Sequence, residues 1–283
     1  MTLEDLARKA RIVEDAWCAA WASLGALSAI PRTFADDTPD FLRVYTPTQQ
    51  EMLLNIVLRY RSAEPVTAAS IERVIAPYRK HRLPFQWWLT LGSDPPGLRE
   101  HLHALGMRSW GGATAMTLDF AGWEPRYHAS APDVTLAQAN TAQDTQAVLR
   151  VICDVFYVPE RPMARWTTEN PAFQVYLARL SGRPVSALAT MWHEGVVGVY
   201  HVATLPMARR RGISGNLLLL ALREAREAGC ALASLTATAE ARHLYEELGF
   251  ASCGMMEQWS PGYDLNTMLT AGNRKRPLYN SPA

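Results

Sequence analysis

Apolar residues in the opening segment recur at helical spacing, through Leu3, Leu6, Ala10, Val13, Trp17, Ala20, Trp21 and Leu24. That spacing predicts one amphipathic helix, stopped by Gly25 and then Pro31. Two short runs rich in β-branched and aromatic residues, Phe41 to Tyr45 and Asn55 to Tyr60, predict neighbouring strands. A helix over Ala68 to Lys80 leads to the run Pro84 to Thr90 and the turn Asp94-Pro95-Pro96-Gly97. The next helix, Leu98 to Leu105, ends at Gly106, which suits the left-handed cap position, and a strand over Ala113 to Phe120 follows.

The pattern then breaks. Gly122 to Pro132 holds two prolines and no clear periodicity, which predicts a linker dividing the chain into domains 1–122 and 132–283. From Val134 it restarts with a short strand, a helix over Asp144 to Phe156, a proline-bearing loop, and strands over Phe173 to Leu180 and Val185 to Trp192 joined by the hairpin signal Ser181-Gly182-Arg183. A strand over Val196 to Thr204, a helix over Gly212 to Ala228, a strand over Ala231 to Thr236 and a helix over Ala239 to Leu248 complete a mixed α/β order.

Composition narrows the function classes. The 283 residues suit two domains, and 48% hydrophobic with 19% charged residues is a globular balance. A formal charge of +1 supplies no field for nucleic acid or an anionic membrane, and no run reaches membrane-spanning length. Cys18, Cys153, Cys230 and Cys253 lie far apart, without metal or redox spacing. With no secretory signal at the start of the sequence, reduced thiols in a cytoplasmic, metal-free protein are expected.

Between the strand ending at Thr204 and the helix near Gly212 lies Pro206-Met207-Ala208-Arg209-Arg210-Arg211-Gly212-Ile213-Ser214-Gly215-Asn216. A loop turning directly into a helix aims several unpaired N–H groups one way, and the helix dipole adds partial positive charge. Gly212 and Gly215 let an anion approach the main chain, and Arg209, Arg210 and Arg211 add charge. Taken alone, the stretch fits a solvated helix start equally well. Downstream, Ala241, Leu244, Tyr245 and Leu248 form one helical stripe closed by Gly249-Phe250, and periodicity alone makes Tyr245 a packing residue.

Together these stretches resemble the GNAT superfamily of N-acetyltransferases, whose cofactor loop follows Arg/Gln-x-x-Gly-x-Gly/Ala and whose later helix carries Ala-x-x-Leu-Tyr-x-x-Leu-Gly-Phe. Here the first reads Arg209-x-x-Gly212-x-Ser214, with serine in place of glycine or alanine, and the second is complete. The resemblance implies a GNAT-like mixed sheet flanked by helices, in two such units. The first unit, which lacks the arginine-glycine loop and only echoes the motif at Leu102 to Met107, is expected to be degenerate.

It also implies acetyl-CoA as cosubstrate. Val202, Ala203 and Thr204 would bind its pantetheine arm through the main chain, Arg209 to Gly215 (Arg209, Arg210, Arg211, Gly212, Ile213, Ser214, Gly215) its diphosphate, and Thr238 its arm through a hydroxyl. Tyr245 would be the general acid for the departing thiolate. A base is harder to find, since Gly198 stands where many relatives hold glutamate; His201 and Tyr200 share that strand, His201 being the candidate to deprotonate the amine. His193 and Glu194 suit a solvated turn, while Trp166, Trp192 and Trp259 are candidates for a pocket wall.

The function expected is direct acetyl transfer to a primary amine of a small molecule, by a monomer or homodimer. The alternatives are a protein or peptide N-acetyltransferase and a non-catalytic acyl-CoA-binding module.

Overall fold

The computed structural model describes residues 2–27, 32–48, 52–62, 64–90, 92–125 and 133–261. The Arg274-Lys275-Arg276 stretch and most of the expected linker lie outside them. The chain forms two compact units, one from residues 1–113 and the segment from Gly254 onward, the other from Thr114–Cys253.

The first unit opens with α1 (Leu3–Ala22), whose Thr2 side chain accepts from the Asp5 N–H, then β1 (Phe34–Asp37), β2 (Leu42–Tyr45), β3 (Ile56–Leu58), α2 (Ala68–His81), β4 (Gln86–Leu89) and α3 (Leu98–Ala104). Its sheet runs β1, β2, β3, β4, and its last neighbour is the far end of β11 (Ala251–Pro261), with Trp259 paired to Trp87 and Glu257 to Leu89. β3 and β4 are parallel, with α2 as the crossover. Ile71, Val74, Ile75 and Tyr78 of α2 bury one face against Val57, Trp87 and Trp259; each such side chain contributes about 1.5–3 kcal/mol on leaving water.

The second unit takes its first strand from β5 (Met107–Asp119), whose Thr114 to Asp119 pair antiparallel with β10 (Leu232–Ala237). The remaining order is β10, β9 (Val196–Thr204), β8 (Arg183–His193), β7 (Phe173–Leu180) and β6 (Val134–Gln138). Only β9 and β10 are parallel in this run. α4 (Ala142–Phe156) and α6 (Ile213–Glu227) pack on this sheet, while α5 (Glu160–Trp166) packs on α4 and α7 (Arg242–Glu247) precedes β11. Both hairpins turn through two left-handed residues, Ser181-Gly182 and Glu194-Gly195, the arrangement that matches strand twist.

The mixed α/β class is therefore as the sequence implied, and β6 to β10 fall within a residue or two of their expected positions. Four features differ. β1 and β11 were unassigned, the proline-bearing loop contains α5, and α7 begins only at Arg242. β5 starts at Met107, several residues early, because its Gly111-Gly112 pair masks the strand pattern. Gly112 is required there: a β-carbon would collide with the main chain of Met256 and Glu257.

Candidate active site

β9 and β10 pair only from Val196 to Gly198 and then part. Beyond that point β9 bulges against β8: Ala189 faces Tyr200 and Ala187 faces Ala203, leaving His201 as the extra residue with φ of 53°. The Leu205 N–H donates to the Val185 carbonyl at 2.9 Å, and the Ala203 carbonyl accepts from Ser186 Oγ at 2.8 Å. By strand alternation the main-chain groups of Val202 and Thr204 point away from β8, toward the edge that β10 has left. Ala203 faces β8 instead.

A short 3-10 turn, Pro206–Ala208, links β9 to the α6 loop. Arg209 folds back, its Nε donating to the Thr204 carbonyl at 3.0 Å. Arg210 and Gly212 both sit in the left-handed region, at φ of 59° and 69°, and Gly212 is the α6 N-cap. The first main-chain bond of the helix is Asn216 N–H to the Gly212 carbonyl at 3.0 Å. Among the described residues, the N–H groups of Arg210, Arg211, Gly212, Ile213, Ser214 and Gly215 have no acceptor. No acidic side chain lies in the first turn, and Arg209, Arg210 and Arg211 are exposed without an ion pair among the described residues. Consecutive free donors, a dipole end and unneutralised guanidinium groups suit a diphosphate.

Tyr245, 5% exposed, belongs to the same hydrophobic cluster as Ile213 and meets Phe250 edge-on at 6.0 Å. Burial pushes its phenol well above the ordinary range, so it stays protonated at neutral pH. Its hydroxyl has no hydrogen-bond partner among the described residues. Thr238 directly follows β10; its Oγ1 accepts from the Ala241 N–H at 3.3 Å, which leaves its own proton to donate.

His201 lies edge-to-face with Trp166 at 4.4 Å and with Phe156 at 6.4 Å. Its Nδ1 is buried without a partner, and burial lowers its pKa to about 3. The imidazole is therefore neutral and a weak proton acceptor. At Gly198, a β-carbon would collide with the Tyr200 ring and hydroxyl, so the tyrosine occupies the space a carboxylate side chain would need. Of the tryptophans, Trp166 reaches His201, Trp192 is 36% exposed at the end of β8, and Trp259 lies in the core of the first unit. His193 and Glu194 flank the β8–β9 turn, 4.0 Å apart and largely exposed. Nothing in the residue pattern signals the Trp166 and Phe156 contacts, because α5 hides in a proline-bearing stretch.

The first unit repeats the strand-helix-strand order but is closed at the corresponding point. Thr67 and Ser70 cap the start of α2 reciprocally, Thr67 Oγ1 accepting from the Ser70 N–H at 3.1 Å and Ser70 Oγ from the Thr67 N–H at 3.0 Å. Past β3, Arg59 pairs with Asp37, and Arg61 with both Glu14 and Asp15. The fully buried Glu14 carboxylate of α1 also accepts from Thr90 Oγ1 at 3.0 Å and from Ser93 Oγ, just past β4.

Among the described residues there is no cluster of metal-ligating side chains and no helix long and apolar enough to cross a membrane. No curated protein matches the sequence. Over 90% of this chain and 96% of its own, a GCN5-related N-acetyltransferase from Kribbella flavida superposes with a TM-score of 0.69 at 20% identity. A GCN5-related N-acetyltransferase from Sphaerobacter thermophilus does so over 94% and 96%, with a TM-score of 0.60 at 15% identity. A tandem GNAT protein from the clavulanic acid biosynthesis pathway covers 90% and 96%, with a TM-score of 0.57 at 14% identity. At such identities these likenesses establish the fold, and residues 145–250 match the acetyltransferase (GNAT) family. The segment that carries the parted strands, the open α6 N-terminus and Tyr245 is thus the one that matches the GNAT family.

Proposed function

We propose that this chain transfers an acetyl group from acetyl-CoA to a primary amine of a small molecule, directly and within a ternary complex. The observation that carries the reading is the run of six unpaired N–H groups from Arg210 to Gly215 beside the gap between β9 and β10. Those donors and Arg209, Arg210 and Arg211 hold the diphosphate, with Gly212 and Gly215 giving it access and Ile213 anchoring the turn in the core. Val202 and Thr204 offer main-chain groups to the pantetheine arm, Ala203 keeps the strand edge on β8, and Thr238 donates its hydroxyl proton to the arm. When bound, acetyl-CoA supplies the activated acyl thioester.

Tyr245 holds its proton at neutral pH and gives it to the departing thiolate, whose own basicity rises in the same desolvated surroundings. His201 is better suited to accept a hydrogen bond than a proton. All four cysteines are buried, and burial raises the Cys153 thiol to about 12, which supports direct transfer over an acyl-cysteine route. The second unit is the catalyst. The first unit, whose helix start is capped and whose arginines are neutralised, binds no cofactor of its own.

A second reading, a non-catalytic acyl-CoA-binding module, is favoured by Tyr200 filling the space beside Gly198. Thiol release from acetyl-CoA across a panel of amines separates the two. The transferase shows amine-dependent release, and Tyr245→Phe lowers kcat about 100-fold with CoA affinity within about twofold. Cofactor binding without amine-dependent release would leave only the binding module.

A further inference from the structure

The surroundings of His201 bear on which amine is acetylated. A carboxylate near the reacting point serves an alkylamine twice, as counter-ion for the incoming ammonium and as acceptor of its proton. Here Tyr200 excludes a side chain at Gly198, and burial alone sets the proton affinity of His201, with no charged group acting on it. What gathers at the bulge is aromatic. Trp166 and Phe156 flank the imidazole, and Phe173 meets Tyr200 edge-on at 5.4 Å. His201 and Phe156 keep part of their surface exposed, and the nearly buried Trp166 backs them. The buried charged side chain on α5 is Arg165, a cation, which would oppose an ammonium; Asp154, Glu160 and Glu169 are exposed.

Resting on the transferase reading above, we propose that the acceptor is an amine already uncharged at neutral pH, of the arylamine class, seated against Phe156 and His201 at the β9 bulge. An arylamine's lone pair is delocalised into its ring, so the nitrogen is unprotonated and needs no base before it attacks. The C–N bond forms as the C–S bond breaks. The proton the nitrogen sheds is matched by the one the departing thiolate takes up, giving an amide and a free thiol. The aromatic patch supplies faces and edges for the acceptor ring, and the neutral imidazole accepts a hydrogen bond without attracting cations.

The test uses the full chain with acetyl-CoA at neutral pH and matched arylamines, alkylamines and polyamines, comparing kcat/KM by thiol release. Arylamines are expected to lead by about tenfold or more. Phe156→Ala, or Phe156→Leu to preserve the apolar volume should alanine unfold α4, is expected to raise KM for the arylamine about tenfold with kcat within about twofold. Preference for alkylamines or polyamines overturns the acceptor class and leaves the transferase reading standing. An unchanged KM in a folded Phe156 variant overturns the proposed seat. Binding of acetyl-CoA with no release for any amine overturns both proposals.

Discussion

His201 occupies a position where strand geometry, charge and stability meet. Its ring is buried, which disfavours the cation, so the folded protein binds fewer protons at this site than the unfolded chain between pH values of about 3 and 6.5. Stability therefore rises with pH across that window and is lost as the pH falls from 6.5 toward 3. One proton limits the effect to about 1.4 kcal/mol per pH unit. Glu14 works in the opposite sense, because burial raises its carboxyl above 4.5 and stability from this group falls as pH rises past that value. Comparing denaturant unfolding of the protein with that of His201→Phe isolates the histidine: the variant should lose less stability between pH 6.5 and 4.5. Equal losses would contradict the burial argument. Little of this was legible beforehand, since nothing in the sequence separates a base from a desolvated imidazole until α5 brings Trp166 against it.

The two helix starts, at α2 and α6, show how local residue choice divides the roles of similar elements. α6 leaves its first donors open and places left-handed Gly212 at the cap, whereas α2 satisfies its own through Thr67 and Ser70. Gly212→Val should abolish CoA binding by calorimetry, because a β-branched residue in that backbone region is strained by about 1–2 kcal/mol and crowds the donors. The unfolding midpoint should fall by only a few degrees. Thr67→Ala should instead cost about 1 kcal/mol of stability while leaving one CoA bound per chain. A second binding event, or residual binding in the Gly212 variant, would contradict the closed first unit. The contrast was partly visible in the sequence, where Arg209 to Gly215 stands out by composition. The pairing of Arg59 and Arg61 with Asp37, Glu14 and Asp15 was not, because those partners come from distant segments.

The first unit is not a continuous stretch of chain, and the second begins partway along a strand, at Thr114. The second completes its sheet with Thr114 to Asp119, and the first with the far end of β11. A fragment comprising residues 132–283 would leave β10 without its antiparallel neighbour and expose an unpaired edge, so it should be insoluble or unfolded alone. Solubility and circular dichroism of the separately expressed fragment check this; a cooperative, soluble fragment would contradict it. The elements themselves were readable from periodicity and turn residues. Which strands pair was not, since β5 and β11 are drawn to partners far away in sequence, and Gly112 of β5 sits where the main chain of β11 approaches it. The same pairing imposes an order on synthesis. While a ribosome is still extending the chain, the first unit has every helix it needs but not its closing strand, and it must wait for Trp259 to emerge before its sheet can be finished.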